Sequence, residues 1–200
     1  RVRLGHAPSL AAEDLLPEGA DTEDSSAEPV TVGQFLHRLA APLAVVHRIP
    51  GPHAGRLAGA PRHRTWRDYL YNRLDTYTAA APDLAPAAAA HRRELDATDA
   101  DTEPKLLHHD LQPGHLVRPT SGKSLLLDWE LAAFGDPLSD LARLAVRLDL
   151  PDPTGVLHLV HRPDPDAVRR LCLYWRIHQL ADAALSTDPV VRQRGRARLP

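Results

Sequence analysis

Leu106-Leu107-His108-His109-Asp110-Leu111-Gln112-Pro113-Gly114-His115-Leu116-Val117, followed after a turn by Leu125-Leu126-Leu127-Asp128-Trp129-Glu130, is the stretch whose reading decides the fold. Asp110 and Asp128 sit in two short motifs, and the stretch that joins them reads as a β-hairpin. Pro113 and Gly114 directly after the first acid mark a loop, not a helix. Two carboxylates held at one cleft edge suit phosphoryl transfer. One orients an attacking hydroxyl, and the other holds a divalent cation that neutralises phosphate charge. A third element follows at once: Gly135-Asp136-Pro137-Leu138-Ser139-Asp140-Leu141-Ala142.

Working outward, the flanking sequence reads as helices. Thr31-Val32-Gly33-Gln34 fits a capping box, with Leu36, Leu39, Leu43 and Val46 as one stripe behind it. Pro42 should kink or disturb that helix. His47 at its end reads as structural. A Gly/Pro-rich loop spans 50–64. Thr65 then opens a second helix, with Asp68 in the capping position and Trp66, Leu70, Leu74 and Tyr77 on its inward face. A third runs from near Pro86 to Leu95, and an acidic loop over 99–103 leads into the catalytic strand. Asp136 is placed to cap a helix from Pro137 that continues through Leu141, Leu144, Ala145 and Leu148, until Pro151 and Pro153 end it. The last long helix covers 164–185, with Val168, Leu171, Cys172, Trp175, Leu180 and Leu185 inward. The residues after it, 189–200, form an Arg-rich tail expected to fray.

Composition excludes more than it selects. A chain of 200 residues can bury a sizeable core. A formal charge of -2 gives no reason to expect nucleic acid or a membrane surface as a partner. No apolar run reaches spanning length, and the single cysteine, Cys172, excludes an intrachain disulfide and reads as a buried structural thiol. These readings favour a cytoplasmic protein. The chain has no Met and begins with Arg1, so it reads as processed or as a fragment. Neither G-x-G-x-x-G nor G-x-x-x-x-G-K-[ST] occurs in it.

The three linked motifs resemble the catalytic core of the aminoglycoside phosphotransferase and choline kinase-like family, relatives of the protein kinases. That pattern runs H-G-D-L-H-P-G-N, a hydrophobic-D-W/F-E strand end, then G-D-P-x-x-D-L-A. The resemblance implies an α+β, mainly α fold: a protein kinase-like C-terminal lobe with a small catalytic β-hairpin, the N-terminal lobe largely missing. Residues 1–28 would be the end of that N-terminal lobe, the hinge and an acidic linker, and 29–188 the helical catalytic lobe. It implies Asp110 as catalytic base, Asp128 as a magnesium ligand, and His108 and Asp140 as structural supports of the catalytic loop. Glu13, Asp14 and Leu15 would be the nucleotide-binding hinge, and Val117 the apolar floor beneath the adenine.

Two positions depart from the pattern. His109 replaces its Gly, and His115 replaces its Asn metal ligand, as in macrolide phosphotransferases. Imidazole is a competent ligand, with Mn2+ an option beside Mg2+. The implied function is transfer of the γ-phosphate of ATP or GTP to a hydroxyl of a small molecule. The acceptor would be an antibiotic such as an aminoglycoside or macrolide, which implies antibiotic resistance, or a choline- or sugar-like metabolite. One alternative is a kinase-like binding or regulatory protein that has lost turnover. Another is a metal-dependent phosphohydrolase of the HD type, which requires the His109-Asp110 pair on a helix. The sequence names neither the acceptor nor the oligomeric state.

Overall fold

A computed structural model describes residues 31–59, 61–117, 124–159 and 166–199. The hinge residues Glu13, Asp14 and Leu15 lie outside the described residues.

Helix α1, Val32–Val46, starts on a full capping box. The Thr31 hydroxyl accepts the Gln34 N–H, and the Gln34 side chain accepts the Thr31 N–H at 2.9 Å. It buries Phe35, Leu36, Leu39, Leu43 and Val46. The helix runs unbroken through Pro42. Pro42 removes only one intrahelical N–H donor, and the buried stripe on either side holds the turn. Helix α2, Trp66–Ala80, repeats the device with Thr65 and Asp68. Helix α3, Ala85–Asp96, follows a short 3-10 turn over Pro82–Leu84.

Helix α4, Pro137–Arg147, is capped by Asp136, whose carboxylate accepts the Leu138 N–H at 3.0 Å. Helix α5, Ala167–Leu185, is the hub, packing against α2, α3 and α4. The core is continuous from Leu39 and Leu43 of α1 through Leu74 of α2 and Leu141 and Leu144 of α4 to Leu171 and Leu173 of α5. The fold is thus mainly helical, with small sheets along one edge.

The hairpin expected between the two acidic motifs is present, and beside it lies a three-stranded sheet that was not expected. Strand β1, Gly55–Arg56, lies inside the loop read over 50–64. Strand β2, Lys105–Leu107, leads to the catalytic loop. Strands β3, Leu116–Val117, and β4, Leu125–Leu126, pair as a two-stranded hairpin, Leu116 opposite Leu126. Strand β5, Ala133–Gly135, joins β1 and β2 in an antiparallel sheet of order β1-β5-β2, with Leu106 opposite Phe134. So β2 pairs with β5 and not with the strand before Asp128. Ala-Phe-Gly is too short and too weak in β-branched residues to announce a strand.

Two further expectations are corrected. The Arg-rich tail is not frayed: Pro189–Ala197 forms helix α6, capped by Asp188 and packed on α5. Gly195 permits this contact, since a Cβ there would lie 2.7 Å from the Gln179 carbonyl oxygen and 2.8 Å from the Ala183 nitrogen. On α5 the buried set includes Arg170, Leu171, Leu173, Tyr174, Ile177 and Leu180, while Val168 and Leu185 are exposed and Cys172 and Trp175 are half-buried. A hub helix contacts neighbours on several sides, so its buried positions do not form the one stripe that periodicity selects.

Candidate active site

The catalytic loop is held from beneath by one carboxylate. Asp140, in the first turn of α4, is wholly buried. Its Oδ2 accepts the His108 N–H at 2.8 Å and faces His47 Nε2 at 3.0 Å, and its Oδ1 accepts the His109 N–H at 2.6 Å. Burial pushes this carboxyl up. The hydrogen bond from His47, the neighbouring imidazoles and the His108 N–H outweigh that, and the carboxyl lies below its ordinary range. His108 ties the loop to the strand end. Its Nδ1 accepts the Asp110 N–H at 3.2 Å, which leaves Nε2 to donate to the Leu127 carbonyl at 2.7 Å. The ring rests 4.7 Å from that of Trp129.

His109 has φ +63°, the left-handed conformation that explains a glycine in the pattern this loop resembles. Histidine is among the side chains enriched there. Its ring turns inward: Nε2 lies 3.2 Å from Ser139 Oγ, which lies 3.1 Å from His178 Nε2. Burial pushes the His109 imidazole down to about 4 and that of His178 well below its ordinary value, so both are neutral at pH 7. The His109-Asp110 pair is not on a helix.

Asp110, His115 and Asp128 converge, with one ligand-capable atom of each lying within 4.8 Å of the others. His115 Nε2 lies 3.4 Å from Asp128 Oδ2, and Nδ1 lies 3.7 Å from Asp110 Oδ2. The tautomer follows from Nδ1, which is 2.8 Å from the backbone carbonyl of Asp110. A carbonyl only accepts, so Nδ1 carries a proton, and Nε2 is the nitrogen that a metal would take. That is the arrangement a metal-ligating imidazole requires, with the second nitrogen fixed by a carbonyl. Gln112 Nε2 lies 2.6 Å from His115 Nε2. The Asp128 carboxylate and the His115 imidazole, with the Asp110 carboxylate close by, offer the donor types that a divalent cation takes. Asp128 takes φ +61° beyond β4, with its side chain 42% exposed, whereas that of Asp110 is 9% exposed.

Arg147 was not singled out by the sequence. It reaches from the last turn of α4 to Asp110 Oδ1, with Nε at 3.1 Å and Nη2 at 2.6 Å. The signal was available: Arg147 lies seven residues after Asp140, about two helical turns, so both point to the same loop. Val117 is 40% exposed on β3, two residues after His115. Beside the loop opens a cavity of about 720 Å3, with His109 and Arg147 on its wall and exposed Glu130 at its rim.

A mainly helical lobe with its acidic loop and hairpin on one edge is the lobe of a kinase-like fold. The chain belongs to the phosphotransferase enzyme family, whose sequence pattern matches residues 4–175. Among solved structures, it is similar to the aminoglycoside phosphotransferase APH(4)-Ia, at 18% identity and a TM-score of 0.58, over 82% of this chain and 62% of that one. It is similar to the choline kinase LicA from Streptococcus pneumoniae, at 16% identity and TM-score 0.57, over 81% and 61%. It is similar also to macrolide 2'-phosphotransferase type I, at 17% and 0.57, over 92% and 64%. The chain thus spans less than two thirds of the length of these proteins. No curated protein matches it by sequence. Among the described residues, no helix is long and apolar enough to cross a membrane.

Proposed function

We propose that the protein transfers the γ-phosphate of a nucleoside triphosphate, ATP or GTP, to a hydroxyl of a small molecule. The observation that carries this reading is the meeting of Asp110, His115 and Asp128 on a loop fixed by Asp140. In this reading Asp110 orients the acceptor hydroxyl and receives its proton. The hydroxyl oxygen bonds to the γ-phosphorus as the bond from that phosphorus to the β–γ bridging oxygen breaks. Nucleoside diphosphate leaves with the electron pair. Asp128 and His115 would hold magnesium or manganese, which supplies neutralisation of the phosphate charge. Val117, with Glu13, Asp14 and Leu15, would contact the nucleotide base, and His108 and Asp140 keep the loop in shape.

The neighbours lend support: APH(4)-Ia is described in ternary complex with AMP-PNP and hygromycin B, and LicA in complex with AMP. A cation-dependent screen for nucleotide consumption, with antibiotics, choline-like alcohols and sugars as acceptors, tests the reading. Acceptor-dependent release of nucleoside diphosphate is the expected result, and none with any acceptor would overturn it. One observation favours a second reading, a kinase-like binder without turnover. Arg147 makes two bonds to Asp110 Oδ1 and leaves only Oδ2 toward His115. Tight nucleotide binding without turnover in the same screen would select it. The hydrolase reading requires the His109-Asp110 pair on a helix, and that pair lies in a loop.

A further inference from the structure

The cavity beside the catalytic loop has an unusual charge arrangement. Four arginines line it, Arg56, Arg73, Arg143 and Arg147, against the carboxylates of Glu130, Asp182 and Asp188. Two arginines are committed: Arg143 Nη1 bonds Asp182 at 2.6 Å, and Arg147 bonds Asp110. The Asp188 carboxylate is committed too, accepting the Val190 N–H at 2.8 Å as the cap of α6. Glu130 is exposed at the rim.

Arg56 and Arg73 remain. Both are half-buried, and among the described residues neither has a carboxylate within ion-pair distance. Their partners are neutral. Arg56 donates to the Leu131 carbonyl. Arg73 Nε donates to the Tyr77 hydroxyl at 3.3 Å, with its guanidinium 5.0 Å from the centre of that ring. Tyr69, also on the wall, feels the positive charge of both.

Two guanidiniums drawn partly out of water without a counter-charge are costly, and a guanidinium fork fits carboxylate or phosphate oxygens. The flanking aromatic rings alone would suit a cation. Arg56 and Arg73 among them favour an anion at their own positions.

We propose that this cavity takes an anionic group of the acceptor, a carboxylate or a phosphate, on Arg56 and Arg73. That the bound molecule is the acceptor rests on the phosphotransferase reading, and the anion site does not. The cavity reaches the catalytic loop through His109, next to Asp110 in sequence, and through Arg147, which bonds Asp110; Asp110 itself is not on its wall.

Three sugars of one carbon skeleton test it: gluconate, glucose and glucosamine, which are anionic, neutral and cationic. Inorganic phosphate serves as a second anion. Affinities are measured by calorimetry, and nucleotide consumption is followed in parallel. Gluconate is expected to bind at least about tenfold more tightly than glucose, with glucosamine weakest, the scale of one charge-assisted hydrogen bond. Arg56→Gln and Arg73→Gln should each weaken gluconate and phosphate about tenfold and leave glucose unchanged. Equal affinities for the three sugars, no measurable anion binding, or anion binding that survives both substitutions would overturn the proposal. The ranking on the unsubstituted protein decides the matter even if a variant fails to fold. Anion preference without nucleotide consumption would leave this site standing and remove the phosphotransferase reading. Turnover best with glucosamine would do the reverse.

Discussion

At the scale of single residues, the site depends on which atoms are left free. Asp140 spends both oxygens on the loop backbone and His47. Asp140→Asn puts an amide NH2 where N–H donors point and leaves them unsatisfied. The expected cost is about 1–3 kcal/mol of stability, read by urea unfolding, with a matching loss of turnover. An unchanged unfolding midpoint would remove Asp140 as the support. His115 offers a separate test. His115→Ala should raise the magnesium or manganese concentration needed for activity, whereas His115→Asn, which restores an oxygen ligand, should keep substantial activity. A metal titration that does not move in the Ala variant would mean the ring only packs the loop. Asp110, His115, Asp128 and Asp140 were legible because each sits at a fixed place in a linked motif. Arg147 was missed: its spacing of seven residues from Asp140 puts both on one helix face, but a charged residue in the last turn of a helix is ordinary and did not stand out.

At the scale of elements, the helices were legible from stripes and caps, and the strands were not. Thr31 and Thr65 announce α1 and α2 by capping boxes that form as read. Strand β1 has two residues and β5 three; β5 is defined by pairing with both β1 and β2, and β1 by pairing with β5 alone. Such pairing is a tertiary fact with no local period. Helix α6 was missed for a related reason: its Arg-rich sequence is polar, and its docking turns on the single missing side chain of Gly195. Gly195→Val should therefore force α6 off α5. We expect a loss of about 1–3 kcal/mol and earlier proteolysis after Leu185, compared by thermal melts and limited digestion. A melt and digestion pattern like those of the unsubstituted protein would contradict the packing described.

At the scale of the whole molecule, acid should unfold this protein through its buried histidines. Burial first, and then the positive charge of Arg176 against the opposing Glu94, push His91 down from 6.5 to about 4. His109 and His178 are depressed in the same direction. The unfolded chain then binds protons that the native state refuses between about pH 6.5 and 4, so stability rises with pH across that window. It is fully present above the unfolded value and falls as acid is added. For His91 alone the loss approaches about 3 kcal/mol by pH 4. His91→Leu, on α3, should flatten the decline measured by urea unfolding at pH 7, 6 and 5, and an identical slope would contradict it. The fold class was readable from the three motifs together. The cavity and its arginines were not, because Arg56, Arg73, Arg143 and Arg147 come from β1, α2 and α4 and meet only on folding.

The central claim is that Asp110 handles the acceptor hydroxyl and Asp128 the metal–nucleotide complex. The direct measurement is turnover alongside Mg–nucleotide affinity for Asp110→Ala and Asp128→Ala. Asp110→Ala should lower turnover by about two to four orders of magnitude with nucleotide affinity little changed. Asp128→Ala should weaken both. Turnover that survives in Asp110→Ala, or equal losses of nucleotide affinity in the two variants, would contradict the account.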